Sequence, residues 1–184
     1  MRNSIHIQPT LAFRSFSFDQ AEGTVLFTHD ITGRRQPAYS ISKPRLPIQH
    51  TRMSRISGPN WNPTAGEVGA FRVHSLSSRI DIELQGRSSQ IRRAGKWRTR
   101  HAFEWPPLGE LEWKEKSSGR ELHLIDETGR SLTRCVSGDS YIGAQIGKIE
   151  VLVPGDDHFV DMCVVTSLAR WRYQELVMQT AISG

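Results

Sequence analysis

The sequence predicts a mainly β protein, an antiparallel sandwich or barrel that ends in one buried helix. Three observations predict it. Short β-branched and aromatic runs recur at roughly 8–12-residue spacing between turn signals. The segment Arg79–Leu84 alternates without a break, with Ile80, Ile82 and Leu84 on one face and Arg79, Asp81 and Glu83 on the other. That period of two marks a half-buried strand. Residues 159–169 are apolar nearly all round, and a helix of that kind is buried in a core or a membrane. At 184 residues the chain has room for one domain, since domains run to about 100–200 residues. Its hydrophobic fraction of 37% and charged fraction of 23% are lean for a globular chain. They exclude a collagen-like chain, a disulfide scaffold and a polytopic membrane protein without reaching disorder.

The elements follow in order. Residues 24–28 form a β-branched and aromatic run, closed by the turn-like residues 30–33. Residues 38–42 alternate and stop before Pro44. Residues 54–64, with Gly58, Pro59, Asn60, Asn62 and Pro63, read as a loop. Strands follow at Glu67–Val73 and Arg79–Leu84. Residues 102–105 end at Pro106-Pro107, residues 108–113 give the next strand, and residues 116–119 turn the chain. Residues 120–125, a turn at 126–129, residues 130–136 and residues 148–153 complete the series. Pro154 and Gly155 then break the last strand. Asp156 or Asp157 caps a helix expected from about His158 to Val177. Charge returns to it only at Arg170, Arg172 and Glu175, and Trp171 between the two arginines reads as a plug where the helix leaves the core, in preference to an anchor at a membrane interface.

Many antiparallel strands followed by one buried helix resembles the tubby C-terminal-like fold, shared by the phospholipid scramblases. The chain is similar to the small fungal proteins of that superfamily. Three stretches carry the resemblance: residues 37–41 with 51–55 as an early strand pair, residues 103–114 with 122–129 as a central meander, and residues 159–169 as the final helix. It covers residues 20–178 approximately, within one domain spanning 1–184. The resemblance implies a closed antiparallel barrel of about twelve strands around a buried C-terminal helix. Closure removes sheet edges and lets the barrel bury every face of the helix. Better-known members associate with membranes, and tubby binds phosphoinositide headgroups. No position here matches the tubby headgroup motif, and the calcium-binding and palmitoylated cysteine-rich segments of the scramblases have no counterpart. Scramblase activity is therefore not implied.

Charge placement gives the candidate site. The net charge of +5 divides into +10 over residues 1–100, from 16 basic and 6 acidic residues, and −5 over residues 101–184, from 8 basic and 13 acidic ones. The basic side is Arg-dominated, which suits bidentate contacts to phosphate or carboxylate and fits the base composition of a coding sequence equally well. Residues 87–100 hold Arg87, Arg92, Arg93, Lys96, Arg98 and Arg100 with no acid, around Trp97. Such a run attracts phosphates, and Trp97 suits a lipid interface. The alternative is a solvated strand or loop whose arginines pair with the acidic second half. Nucleic acid fits less well, because no helix-turn-helix, zinc or RNA-recognition motif accompanies the run.

Other chemistries find little support. Gly138-Asp139-Ser140 resembles a hydrolase nucleophile block, yet it lies late in a β-rich context, and Gly155 stands where an Asp before His158 is needed. The seven histidines, His6, His29, His50, His74, His101, His123 and His158, are scattered without ligand spacing. Residues 143–147 lack the Lys-Ser/Thr ending of a phosphate loop. Cys135 and Cys163 do not make a scaffold of disulfides. No metal, cofactor or catalytic residue is expected, and no stretch reaches the ~20 apolar residues of a membrane span. The expectation is a cytoplasmic, non-enzymatic binding module that docks on an anionic membrane surface or an acidic protein. The alternatives are a protein–protein scaffold, and a ligand carrier or enzyme with a site at a barrel mouth.

Overall fold

A computed structural model describes residues 14–19, 25–29, 34–42, 50–56, 66–74, 77–95, 100–116, 121–137 and 146–183. Its strands are β1 (Arg14–Asp19), β2 (Val25–His29), β3 (Arg35–Ser42), β4 (Thr51–Arg55), β5 (Glu67–Val73) and β6 (Arg79–Leu84). They continue as β7 (Arg87–Arg93), β8 (Arg100–Trp105), β9 (Gly109–Lys116), β10 (Glu121–Ile125), β11 (Ser131–Ser137) and β12 (Ile146–Val151), before α1 (Asp157–Ser183). Every strand pairs antiparallel with its sequence neighbours, and β12 pairs with β1 to close a twelve-stranded barrel. The expected barrel around a C-terminal helix is the architecture found. Two strands extend the sequence reading. β1 begins before the expected core, and β7 is a strand although Ile91 is its single buried apolar residue.

Alternation fills the interior. Ile80, Ile82 and Leu84 of β6 face inward, as do His101, Phe103 and Trp105 of β8 and Leu111 and Trp113 of β9. Residues 37–41 and 51–55 do pair, with Tyr39 opposite Arg55 and Ile41 opposite Met53. The helix occupies the remaining space. Residues 160–171 are buried without interruption, and each fully buried aliphatic side chain there stabilises the fold by about 1.5–3 kcal/mol.

The helix packs most closely on β5 and β6. A Cβ on Gly69 would lie 2.7 Å from Leu84 Cδ2, 2.8 Å from the Glu83 carbonyl oxygen and 3.2 Å from Val165 Cγ2. Glycine at this point of β5 is what lets helix and wall approach. Thr166 and Ser167 are fully buried, and their hydroxyls donate back to the Met162 and Cys163 carbonyls at 2.8 and 2.5 Å. These bonds keep polar atoms satisfied inside an apolar core.

The helix starts as the sequence implies. Asp156 Oδ1 accepts the Phe159 amide at 2.8 Å, which makes Asp156 the cap. Trp171 is the last buried residue of the continuous run, and Arg172 is exposed. The helix runs past Val177 to Ser183, so a further stretch projects beyond the wall. Ser54 and Arg55 belong to β4 and Lys116 to β9, where ladder pairing carries each strand into the expected loop or turn. The expected turns at 30–33 and 117–119, residues 57–64 of the expected loop, residues 138–140 and 143–145, and the N-terminal ten residues lie outside the described residues.

Candidate functional site

The antiparallel ladder gives the barrel two ends: an entry end, where α1 begins, and an exit end, where it leaves. At the entry end three of the connections are tight turns, at residues 85–86, 106–108 and 126–130. In the last, Asp126 Oδ1 accepts the Thr128 and Arg130 amides at 3.0 and 2.9 Å. At the exit end the connections β1–β2, β3–β4, β7–β8, β9–β10 and β11–β12 lie largely or wholly outside the described residues. The β7–β8 connection spans 94–99 and belongs to the predicted basic run.

The entry end carries a complete ionic network. The Tyr39 hydroxyl donates to Asp161 Oδ1 at 2.8 Å, and Arg55 donates to Asp161 at 2.7 Å and to Asp157 at 2.6 Å. Arg14 reaches Asp157 at 3.0 Å. Hydrogen bonds from Arg55 and then Arg14 hold the Asp157 carboxyl below the usual range. Burial, reinforced by Asp161, pushes the Tyr39 phenol far up, so it stays a donor. These residues come from β1, β3, β4 and α1 and tie the first turns of the helix to three strands.

The predicted basic residues are divided by strand geometry. Arg87 and Arg93 sit at opposite ends of β7, about 20 Å apart at roughly 3.3 Å per residue. Arg87 is at the entry end and donates to the Pro106 carbonyl at 3.2 Å. There it helps line a cavity of about 870 Å³ with Trp105, Leu108, Arg130 and Phe159. Arg92 points outward and donates to Gln90 Oε1. It borders a shallow outer groove of about 860 Å³ whose wall is mixed in charge, with Asp81, Glu83 and Glu104 present. Arg93 is exposed at the exit rim, opposite His101. Arg100 forms an exposed ion pair with Glu112, and its hydrogen bond holds the Glu112 carboxyl low. Lys96, Trp97 and Arg98 lie outside the described residues. Thus Arg92, Arg93 and Arg100 share the exit end, joined there by Lys114 and Lys116 of β9.

Beneath that rim lies a group that the charge run alone does not reveal. Arg170 is 1% exposed, and its Nη2 donates to Glu115 Oε1 at 2.9 Å. Its Nε and Nη1 have no partner, nor has either ring nitrogen of His101, nor Trp113 Nε1. His101 and Trp113 are each fully buried and face one another across the β8–β9 ladder. Tyr173 packs on both sides of the cluster, its ring centroid 5.0 Å from the His101 ring and 5.1 Å from Arg170 Cζ. Burial, then the charges of Arg170 and Arg93, push His101 down to about 3, so the imidazole is neutral near pH 7. The sequence does hold a signal for these residues: the alternation of Phe103 and Trp105 extends inward to His101, and Arg170 directly follows the apolar helical run.

The cysteines offer no reactive thiol. Both are buried, and burial pushes Cys135 and Cys163 up to about 12. The described residues contain no group of three or more His, Cys, Asp or Glu placed to hold a metal ion. None of their helices is long and apolar enough to cross a membrane. No protein-family model, curated protein or solved structure matches the chain.

Proposed function

We propose that this chain is a non-enzymatic binding module, tubby-like in its order of elements, that docks on an anionic phospholipid surface through the exit end of the barrel. The observation that supports this reading most is convergence. Arg92, Arg93, Arg100, Lys114 and Lys116 end or begin β7, β8 and β9 on one side of the exit rim, and Lys96 and Arg98 belong to the connection between them. Arg100 and Lys114 both pair with Glu112, which offsets part of their charge. The helix carries exposed Val177 and Met178 beyond this same end. Apolar groups beside cations suit a bilayer interface, where burial and attraction to anionic headgroups add. An acidic protein would use the cations and leave those apolar groups without a role.

The test is co-sedimentation with phosphatidylcholine vesicles containing phosphatidylserine or a phosphoinositide. Binding is expected to weaken steeply as salt rises, since exposed charges are screened over about 10 Å at 0.1 M. Replacing Arg92, Arg93 and Arg98 by Ala is expected to remove most of it. Unchanged binding in that triple variant overturns the proposal. Capture of acidic polypeptides without vesicle binding replaces the lipid with an acidic partner.

A further inference from the structure

We infer that Arg170, His101 and Trp113 form an interior binding site for a small tetrahedral oxyanion of the phosphate class, placed beneath the exit rim of the barrel. Buried polar groups in folded proteins are almost always hydrogen-bonded, and each exception calls for an explanation. Among the described residues seven buried side-chain nitrogens and oxygens lack a hydrogen-bond partner; Arg79 Nε and Thr133 Oγ1 stand apart, and the other five gather here. Two nitrogens of a guanidinium that is 1% exposed, both ring nitrogens of a histidine at 0% and the indole nitrogen of a tryptophan at 0% all lack partners. They lie at one level: His101 and Trp113 are register partners, and Glu115, which holds Arg170, is two residues from Trp113 on the same strand.

The chemistry of these groups selects the ligand. Guanidinium and indole can only donate, and neutral imidazole donates from one nitrogen. Four of the five unpartnered nitrogens are therefore donors, the unprotonated nitrogen of His101 being the one acceptor, and Glu115 satisfies only one of the Arg170 nitrogens. A cation would meet donors and a guanidinium charge, so it is excluded. A neutral acceptor would leave that charge with Glu115 as its one described counterion. A phosphate-class anion supplies several acceptor oxygens and negative charge together, and charge-assisted bonds of this kind are the strong ones. Burial weighs against the charged form of Arg170 and only Glu115 and Tyr173 support it, so a bound anion would offset an existing desolvation cost. Inorganic phosphate and the phosphomonoester headgroup of a lipid present the same oxygens. The inference is independent of the docking reading, because the surface cations and the interior donors are different side chains.

The experiment follows thermal unfolding and isothermal titration of the full chain with sodium phosphate, against sodium chloride at equal ionic strength. A saturable rise in midpoint specific to phosphate is expected, because a ligand that binds only the folded state stabilises it by mass action. Arg170→Met is expected to abolish the rise, and Trp113→Phe, which keeps the ring but loses the donor, to weaken binding about tenfold, as loss of a bond to a charged group does. Should Arg170→Met fail to fold, Trp113→Phe and His101→Phe carry the test. Absence of any phosphate-specific rise in the parent chain, or an undiminished affinity in these variants, overturns the inference and leaves the cluster to water. Vesicles containing phosphatidic acid identify the source. Phosphate competing with such vesicles supports a headgroup in the site, and phosphate binding without competition supports the free anion. The Arg92→Ala/Arg98→Ala variant separates the two proposals: it is expected to lose vesicle binding and keep the phosphate response.

Discussion

The two ends of one barrel treat buried charge in opposite ways. At the entry end Asp161, whose side chain is 5% exposed, meets both Tyr39 and Arg55, and Asp157 meets Arg55 and Arg14. At the exit end Arg170, whose side chain is 1% exposed, meets one carboxylate and leaves two nitrogens unmatched beside His101 and Trp113. The helix is the same and the wall is the same, so the difference is one of purpose. A fully satisfied network rigidifies and fixes the helix in register. An unsatisfied one is tolerated where something outside the chain completes it.

Mutations at the two ends should therefore have unequal costs. The largest loss is expected for Arg55→Met, which strips the buried Asp161 of its cation. The cost is about 3 kcal/mol, the low end for a broken buried pair because Arg55 itself is partly wet. Urea denaturation would show it as a lower midpoint with unchanged slope. Tyr39→Phe removes one bond to the same carboxylate and leaves Arg55 in place, for about 1.5–3 kcal/mol. If both variants are neutral, the entry network is not what seats the helix.

Arg170→Met, without added anion, is expected to cost less than Arg55→Met, because it removes a poorly compensated charge and the carboxylate it leaves, Glu115, is 21% exposed against 5% for Asp161. A loss as large as that of Arg55→Met would erase the contrast between the ends. The smallest effect is a slope. The imidazole takes its proton near 6.5 when unfolded and only near about 3 in the folded chain. Between these values the unfolded state binds more protons, so the contribution of His101 is complete above pH 6.5 and drains as pH falls. His101→Phe is expected to flatten the pH dependence of the unfolding midpoint between pH 7 and 5.5. Bound phosphate should flatten it as well, since an anion beside the ring raises the folded value toward 6.5.

The fold was readable because burial imposes a period. Ile80, Ile82 and Leu84 could only be one face of a strand, and residues 159–169 needed surroundings on every side. β7 is hard to assign because six of its seven residues are serine, glutamine or exposed arginine and only Ile91 is buried. Main-chain pairing to β8 covers just Arg92 and Arg93, and toward the entry end the Ser89 hydroxyl donates to the Glu104 carbonyl of β8 and Arg87 to the Pro106 carbonyl in the turn beyond it. The basic run was visible, but its division was not, because the strand carries Arg87 away from the rim. The entry network and the Arg170–Glu115 pair join residues separated by 55 to 143 positions. No local pattern encodes such meetings.

The pairing of β1 with β12 sets the order in which the molecule can assemble. Eleven of the twelve ladders join strands adjacent in sequence and require only short loops to close. The twelfth matches Arg14 with Val151 and carries a loop-closure entropy that grows with the logarithm of the span. Until it forms, the meander is an open sheet with two bare edges, and its apolar face has no filler but a helix that is made after every strand. A chain stalled before residue 157 would hold every strand and no core. Non-local closure of this kind slows folding and prolongs exposure of strand edges, so the helix acts in time as well as in space, as the event that commits the sheet to become a barrel.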